Sequence, residues 1–306
     1  MGGKDGYSLD LAGLDNGQFY IIHVPALTCI FLSFISAICV IVVSFKKKSY
    51  KTFFSWSRSE RFVVYMAICD CLFNVAHTMD HMHIAITKDH PHPKGICIFY
   101  GFMLAVFITA QTLMVNIVAI NAFMLIFFRK QINFGKNDWR LLTYIFAVPT
   151  VGGIIGIALD QMGPNGSFCY FDGVNGKQMG VFFTTVPLLA VLFLNSVFYG
   201  LTYFRIHQEG KRLKDTVGDN AASVKGAHKA AKTMSLFVTA FFIQWWAMAI
   251  YGAWQLVEDV PQLLFQAVTT FSNLGGVLNG IVFIIIKKRQ NTTEQESKSV
   301  TQTTKA

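Results

Sequence analysis

Residues 96–128 read ICIFYGFMLAVFITAQTLMVNIVAINAFMLIFF and contain no charged side chain. A helix that crosses the hydrocarbon core of a bilayer needs about 20 mostly apolar residues, so this stretch is long enough to cross it with a tilt or to extend beyond it. Unpaired backbone groups are too costly in lipid, and the stretch must therefore be helical. Six further runs share this character, namely 19–45, 62–86, 141–158, 179–204, 234–257 and 263–286. The sequence thus predicts an all-α membrane protein, a seven-transmembrane helix bundle.

The composition excludes several classes of protein. Hydrophobic residues make up 53% of the 306 residues and charged residues only 14%, whereas soluble domains carry about 25% charged residues. The 26 Lys and Arg residues occur in short segments between the apolar runs and do not form one basic stripe. A water-soluble enzyme, a disordered chain and a nucleic-acid-binding protein are therefore excluded, and no nucleic acid is expected as a partner.

The distribution of basic residues predicts which ends of the spans face the cytoplasm. Of the 26 Lys and Arg residues, 22 fall in three loops and the C-terminal tail, at 46–61, 129–140, 205–232 and after 286. Short segments rich in Lys and Arg remain in the cytoplasm. We therefore expect a short extracellular N-terminus (1–18), a seven-helix domain (19–289) and a disordered cytoplasmic tail (290–306). The basic inner face suits anionic membrane lipid.

Two cysteines lie where an oxidising environment is expected. Cys97 is at the predicted outer end of span three, and Cys169 is in the loop after span four. Disulfides persist on the outer side of the membrane, so we predict a Cys97–Cys169 bridge, with two free thiols as the alternative. The same loop contains the sequon Asn165-Gly166-Ser167, which predicts glycosylation of Asn165.

Polar residues recur at helical spacing within four of the spans. They are Asp70, Asn74, His77 and His81 in span two, Thr109, Thr112 and Asn116 in span three, Gln244, Tyr251 and Gln255 in span six, and Thr269, Ser272 and Asn279 in span seven. Polar groups are costly in lipid, so these stripes should face the bundle interior. Their outer halves suit a ligand pocket and their inner halves a polar switch, although simple helix association is the alternative. Asp70, a carboxylate near mid-membrane, is the strongest functional candidate.

Histidine is concentrated near the outer end of span two. Five of the eight histidines fall within 77–92, which raises zinc binding or proton sensing as a hypothesis. We favour an ordinary solvated loop beside hydrogen-bonded imidazoles, because no third ordered ligand completes a metal motif. We expect no metal, no cofactor and no enzymatic activity, since phosphate-cradling, paired-histidine and G-x-S-x-G motifs are missing from the sequence. No run contains a lysine, which excludes a retinal Schiff base.

Seven spans, an outer N-terminus and the Cys97/Cys169 pair resemble a G-protein-coupled receptor over residues 19–289. The motifs of the best-known receptor class are missing. Span three ends in Phe128-Arg129-Lys130 in place of Asp-Arg-Tyr, and span seven reads Asn279-Gly-Ile-Val-Phe without the proline of Asn-Pro-x-x-Tyr. A poor match to that class is therefore expected.

The chain is more similar to the cyclic-AMP-receptor-like family and its orphan animal relatives. The similar segments are YMAICD at 65–70, AINAF at 119–123, FAVP at 146–149, SFCY at 167–170, Asn195 and GGVLN at 275–279. Phe168 departs from the pattern, because Trp is more typical there. Cyclic AMP itself is not expected as the ligand, since it is an anion and the predicted outer face is net negative.

The resemblance implies a multi-pass receptor of the plasma membrane that binds a small molecule or short peptide and activates a heterotrimeric G protein. Its polar switch would comprise Asp70, Asn74, Asn116 and Asn279. The candidate ligand contacts are His77, Asp80, His81, Thr109, Thr112, Tyr251, Trp254 and Gln255. The candidate G-protein-facing residues are Arg129, Lys130, Lys229 and Lys232.

Two further expectations concern the tail and the rival function. The tail is rich in Ser and Thr, so phosphorylation by a receptor kinase and binding of an arrestin are expected there, with a plain solvated tail as the alternative. The rival function is a seven-span small-solute transporter, which would show two parallel three-helix repeats. Spans one to three and five to seven show no such similarity. A non-signalling membrane scaffold is a third interpretation, which the polar stripes disfavour.

Overall fold

The computed structural model describes residues 4–215, 221–258 and 260–288. Within 209–234 it describes the backbone only, and elsewhere in these ranges it also describes the side chains. Within these residues, seven helices are long and apolar enough to cross a membrane. Spans one to seven are, in chain order, Phe19–Lys47, Arg58–Thr87, Lys94–Phe128, Lys136–Ala158, Lys177–Gln208, Ser235–Trp254 and Gln262–Lys288. The helices Val186–Asp215 and Ala221–Trp254 extend beyond the inner ends of spans five and six. The predicted seven-helix bundle is confirmed.

Two spans change helix type just before a proline. Span four contains the π-helix Thr143–Ala147 ahead of Pro149, and span five contains the π-helix Val181–Thr185 ahead of Pro187. Proline has no N–H and its ring clashes with the carbonyl one turn earlier, so the preceding turn widens. Short 3-10 helices occupy Gly6–Ser8, Tyr50–Ser55, Lys136–Asp138 and Ser272–Leu274.

Span three lies at the centre of the bundle and packs against spans two, four, five and six. Large apolar side chains of span three, including Leu104 and Met114, are fully buried among these neighbouring spans. Trp245 of span six is also fully buried and contacts Phe73 and Phe241 edge-on or tilted, with ring centroids 6.3 and 6.4 Å apart. Many other aromatic and aliphatic side chains face outward on the spans, as a surface in contact with lipid allows.

The loop between spans four and five forms a small hairpin across one end of the bundle, which we call the outer end, following the orientation predicted from the basic residues. Strands Met162–Pro164 and Cys169–Phe171 pair antiparallel, with Gly163 opposite Tyr170. The predicted Cys97–Cys169 disulfide is present, with the two Cα atoms 5.2 Å apart. It joins span three to the second strand. The backbone amide of Cys169 also donates a 2.8 Å hydrogen bond to Asp80 of span two.

The N-terminal segment packs onto this hairpin and the loop before span three. The amide of Gly6 donates to Asp172 at 2.7 Å, the hydroxyl of Tyr7 donates to the Pro91 carbonyl at 2.9 Å, and the amide of Ala12 donates to the hairpin at 2.8 Å. Burial, together with the nearby Asp5 carboxylate, raises the pKa of Tyr7 to about 12, so its hydroxyl keeps the proton that it donates. The segment therefore covers part of the outer end.

A buried ion pair joins two loops at the inner end. The guanidinium of Arg61, near the start of span two, donates to both carboxylate oxygens of Asp138 at 2.6 and 3.1 Å. The hydroxyl of Tyr65 donates to the same carboxylate at 2.9 Å. Arg61 also donates to the carbonyls of Phe54 and Trp56 in the first inner loop. One arginine thus ties the first inner loop to the start of span four.

The Arg61–Asp138 pair predicts a large cost for Asp138→Asn. Removing one partner leaves a buried guanidinium without its counter-charge, which costs about 3–5 kcal/mol of unfolding free energy. Thermal unfolding of the detergent-purified protein measures this loss. The matched control is Lys48→Gln, which breaks the more exposed Lys48–Glu60 pair and should cost less than about 1 kcal/mol. Equal effects of the two substitutions would contradict the buried role of Arg61.

Candidate functional site

The carboxylate of Asp70 is buried inside the bundle and accepts hydrogen bonds from two other spans. The side-chain amide of Asn279 donates to Oδ2 at 2.8 Å, and that of Gln111 donates to Oδ1 at 3.1 Å. The salt bridges found among the described residues do not include Asp70. Asp70 is therefore held by neutral amide donors from spans three and seven.

Gln244 extends these contacts to span six. Its amide nitrogen donates to the side-chain oxygen of Gln111 at 3.2 Å and to the Ser272 carbonyl at 3.0 Å. Gly275 packs directly against this point, because a methyl group there would lie 2.5 Å from the Gln244 nitrogen. We call Asp70, Gln111, Gln244 and Asn279 the polar network. It joins spans two, three, six and seven.

Two residues of the predicted switch lie elsewhere. Asn116 of span three donates to the side-chain oxygen of Asn195 in span five at 3.2 Å, so it is not part of the polar network. Asn74 is buried, and its side-chain oxygen has no hydrogen-bond partner among the described residues. Gln111 was missed in the sequence because it falls off the Thr109–Thr112–Asn116 stripe. Gln111 is fully buried and faces Asp70 and Gln244.

A cavity of about 220 Å³ opens at the outer end between spans five, six and seven. Two of the candidate ligand contacts, Tyr251 and Gln255, line it, together with Thr184 and Thr185 of span five and Leu9 of the N-terminal segment. Small-molecule sites usually enclose about 300–1,000 Å³, so this cavity suits a compact ligand. The span-five threonines were missed because their alignment depends on the π-helix turn of that span.

The other predicted ligand contacts do not line this cavity. His77 and His81 are buried beneath Phe168 of the hairpin, with ring centroids 5.5 and 6.2 Å away. Asp80 bonds the Cys169 amide, and the Thr112 hydroxyl donates back to the Ile108 carbonyl at 2.9 Å. Trp254 is 42% exposed on the outside of span six. Thr109 is also absent from the cavity lining.

The remaining candidates lie at the two ends of the bundle. Asn165 accepts hydrogen bonds from the amides of Ser167 and Phe168 at 3.0 Å, while its glycosylation stays a prediction. Arg129 and Lys130 are exposed at the inner end of span three. The side chains of Lys229 and Lys232 lie outside the described residues, as does the tail. Within the described residues, no group of three His, Cys, Asp or Glu could hold a metal ion.

Comparison with known proteins identifies the family. The family model for the seven-transmembrane receptor (rhodopsin family) matches residues 36–283, which is most of the chain. The chain belongs to this receptor family. The expectation of a poor match to the best-known receptor class, drawn from the two missing motifs, is therefore wrong. The receptor keeps the fold of its family without the Asp-Arg-Tyr and Asn-Pro-x-x-Tyr sequences.

The structural comparison supports the same fold. The crystal structure of squid rhodopsin is similar with a TM-score of 0.70 at 13% sequence identity, and the match covers 91% of this chain and 80% of that one. No curated protein matches the chain. As a member of a receptor family, the chain is a multi-pass protein of the plasma membrane, and its family is not one of enzymes.

The close approach of Gly275 to the polar network predicts that Gly275→Ala disrupts it. The added methyl would lie 2.5 Å from the Gln244 nitrogen and 2.7 Å from a carboxylate oxygen of Asp70, closer than packed atoms come. Such overpacking costs about 1–3 kcal/mol. Thermal unfolding of the purified receptor measures the loss. Gly200→Ala is the control, because nothing lies within 4 Å of its added methyl. If Gly275→Ala were as harmless as Gly200→Ala, the proposed packing would be wrong.

Proposed function

We propose that this receptor binds a small molecule in the outer cavity and activates a heterotrimeric G protein through rearrangement of the polar network. The family assignment supports signalling through G proteins. The cavity volume of about 220 Å³ favours a small molecule over a short peptide.

The observation that carries the proposal is one face of span six. Met248, Tyr251 and Gln255 line the cavity, and Gln244 lies on the same face one turn inward of Met248. Gln244 is also the donor that connects Gln111 to the Ser272 carbonyl. A ligand that moves this face would therefore change the hydrogen bonds of the polar network directly.

The polar network has the chemistry of a two-state element. Three of its four members are side-chain amides that both donate and accept, so each of these can exchange one partner for another with little loss of hydrogen bonding. Asp70 supplies the only carboxylate that contacts them among the described residues. A different arrangement of spans six and seven can therefore satisfy the same groups. Two such arrangements are what a ligand needs in order to shift a population.

The finer assignments are proposals too. Arg129 and Lys130, exposed at the inner end, are proposed to flank the G-protein docking site together with Lys229 and Lys232. A receptor kinase and an arrestin are proposed to act at the Ser- and Thr-rich tail. The closer resemblance to the cyclic-AMP-receptor-like family stays a prediction, carried by the quoted segments. The family match favours a receptor over the small-solute transporter.

Nucleotide exchange tests the coupling. Purified receptor is reconstituted in vesicles with each of a panel of Gα subunits, and exchange of bound GDP is compared with empty vesicles. We expect faster exchange on at least one subunit, which would also name the partner. Solute uptake by the same vesicles with no exchange on any subunit would favour the transporter instead.

Asp70→Asn should change the ligand-free exchange rate by at least about threefold. If the hydrogen bonds of Asp70 differ between the two arrangements of the receptor, removing one of them changes the ratio of the two populations. The substitution keeps the shape of the side chain, but its single oxygen can accept from only one of Gln111 and Asn279, and its N–H₂ group then faces the amide donor of the other. Exchange on the coupled Gα subunit measures the effect. The control is Leu72→Ala, two residues away and on an exposed face of span two. An unchanged rate in Asp70→Asn would exclude Asp70 from the switch.

A further inference from the structure

Three histidines form a continuous chain in the outer half of the bundle. His23 of span one contacts His81 of span two through their Nδ1 atoms at 2.8 Å, and His81 contacts His77 through their Nε2 atoms at 3.0 Å. His77 then contacts the side-chain oxygen of Asn273 in span seven at 2.8 Å. All three imidazoles are almost fully buried. We call His23, His81 and His77 the histidine chain. His23 was missed in the sequence because it lies apart from the other histidines.

The direction of these hydrogen bonds follows from Asn273. Its side-chain nitrogen donates to the Thr269 carbonyl at 2.5 Å, so its oxygen faces His77 and must receive a hydrogen from Nδ1 of that ring. A neutral imidazole has one donor and one acceptor nitrogen. His77 therefore accepts from His81 at Nε2, and His81 accepts from His23 at Nδ1. The neutral histidine chain has a single direction.

The histidine chain ends in an unused acceptor. The remaining nitrogen, Nε2 of His23, is buried and has no hydrogen-bond partner in the part of the chain that the structure describes. A proton added there leaves all three hydrogen bonds in place, because none of them uses this nitrogen. The positive charge can then move along the histidine chain by proton transfer from each ring to the next. A second proton would set two N–H groups against each other and break a bond. The geometry therefore has room for one proton.

Among the residues that the structure describes, no carboxylate forms an ion pair with these rings. From span two, Oδ2 of the buried Asp80 accepts from the Cys169 amide, and its Oδ1 has no hydrogen-bond partner among the described residues. Asp89 is exposed at the outer end, and Lys88 lies over the ring of Tyr20. His90 contacts the Leu9 carbonyl of the N-terminal segment. Spans one and seven and the hairpin add the neutral side chains of Phe19, Thr269, Asn273 and Phe168. The ion pairs of the described residues include no histidine.

A bound proton would thus be an unpaired charge in this arrangement. Burying a charge without a counter-charge is costly. A rearranged bundle that lets water or a carboxylate reach the histidine chain would accommodate the proton better. Proton binding should therefore shift the population away from the arrangement seen here.

The histidine chain is connected to the polar network through the 3-10 helix Ser272–Leu274. Asn273 accepts from His77 through its hydrogen-bonded side chain, and its carbonyl accepts from the Ser33 hydroxyl of span one at 2.5 Å. The neighbouring Ser272 carbonyl accepts from Gln244. One turn of span seven is thus held on one side by the histidine chain and on the other by the polar network.

We propose that His23, His77 and His81 together form a binding site for a single proton taken up from the outer side, and that its occupancy shifts the polar network. The second half of this proposal rests on the proposed receptor function, while the first half does not. Phe19, Leu11 and Ile84 pack together beside His23, so the proton reaches Nε2 when the N-terminal segment opens.

The first test follows the protons on the receptor itself. The purified receptor, labelled with ¹⁵N in its histidines, is titrated by NMR across the range in which histidine changes charge, about pH 5 to 8. Single substitutions by Gln assign the signals. We expect the three ring signals to change together, with one proton shared among them. Three independent titrations, each of a whole proton, would overturn the site.

The second test measures the effect on signalling. Exchange on the coupled Gα subunit is compared at about pH 7.5 and pH 6 with a chelator present to remove zinc, and we expect acid to raise the rate at least about threefold. His23→Gln and His81→Gln should abolish this response. His83→Gln, on the same helix but outside the histidine chain, should retain it. Exchange with an unaltered acid response in the first two variants would overturn the link to the polar network. A lack of exchange at every pH would contradict the proposed function and leave the NMR result standing.

Discussion

Both oxygens of the Asp70 carboxylate are held by side-chain amides that come from two other spans. A carboxylate at this depth is costly unless such donors reach it, so the helices must pack in the register that brings Gln111 and Asn279 to its two sides. Gly275 makes this register possible by letting span seven approach. Gln244 then ties span six to the same point. The interior arrangement of four spans thus provides hydrogen-bond donors for both oxygens of one buried carboxylate.

The same constraint connects the two functional regions. The outer cavity and the polar network share one face of span six, and the histidine chain and the polar network share one turn of span seven. Neither connection needs a long-range pathway, because each runs along a single rigid element. A small ligand and a proton would therefore act on the same hydrogen bonds from different sides.

Much of this fold could be predicted from the sequence. Long apolar runs with few or no charged residues predict spanning helices, and this pattern predicted seven spans and their approximate bounds. Two cysteines on the oxidising side gave the disulfide that the structure contains. Asp70 and Asn279 were placed together by the resemblance. These features depend on local composition or on a single rare residue, so they can be recognised in a single sequence.

The details of the site depended on tertiary packing that the sequence does not encode locally. His77, His81 and Asp80 have the spacing of pocket residues, but the hairpin places Phe168 and the Cys169 amide over them. Asn116 has the spacing of a switch residue, but the rotation of span three turns it towards Asn195. His23 and Gln111 carried no pattern, and only the meeting of distant spans gives them partners. The two motifs missing from spans three and seven led to the wrong expectation of a poor match to the rhodopsin family, because the chain keeps that family's fold without them.

The most direct measurement of the central claim is the distance between the inner ends of spans three and six. Spin labels are attached at Phe128 and Thr239, both exposed, after Cys39 is replaced by Ser, and pulsed electron resonance gives the distance distribution. If the polar network controls the arrangement of the spans, Asp70→Asn must change this distribution relative to the otherwise identical labelled receptor. Superimposable distributions would contradict the account.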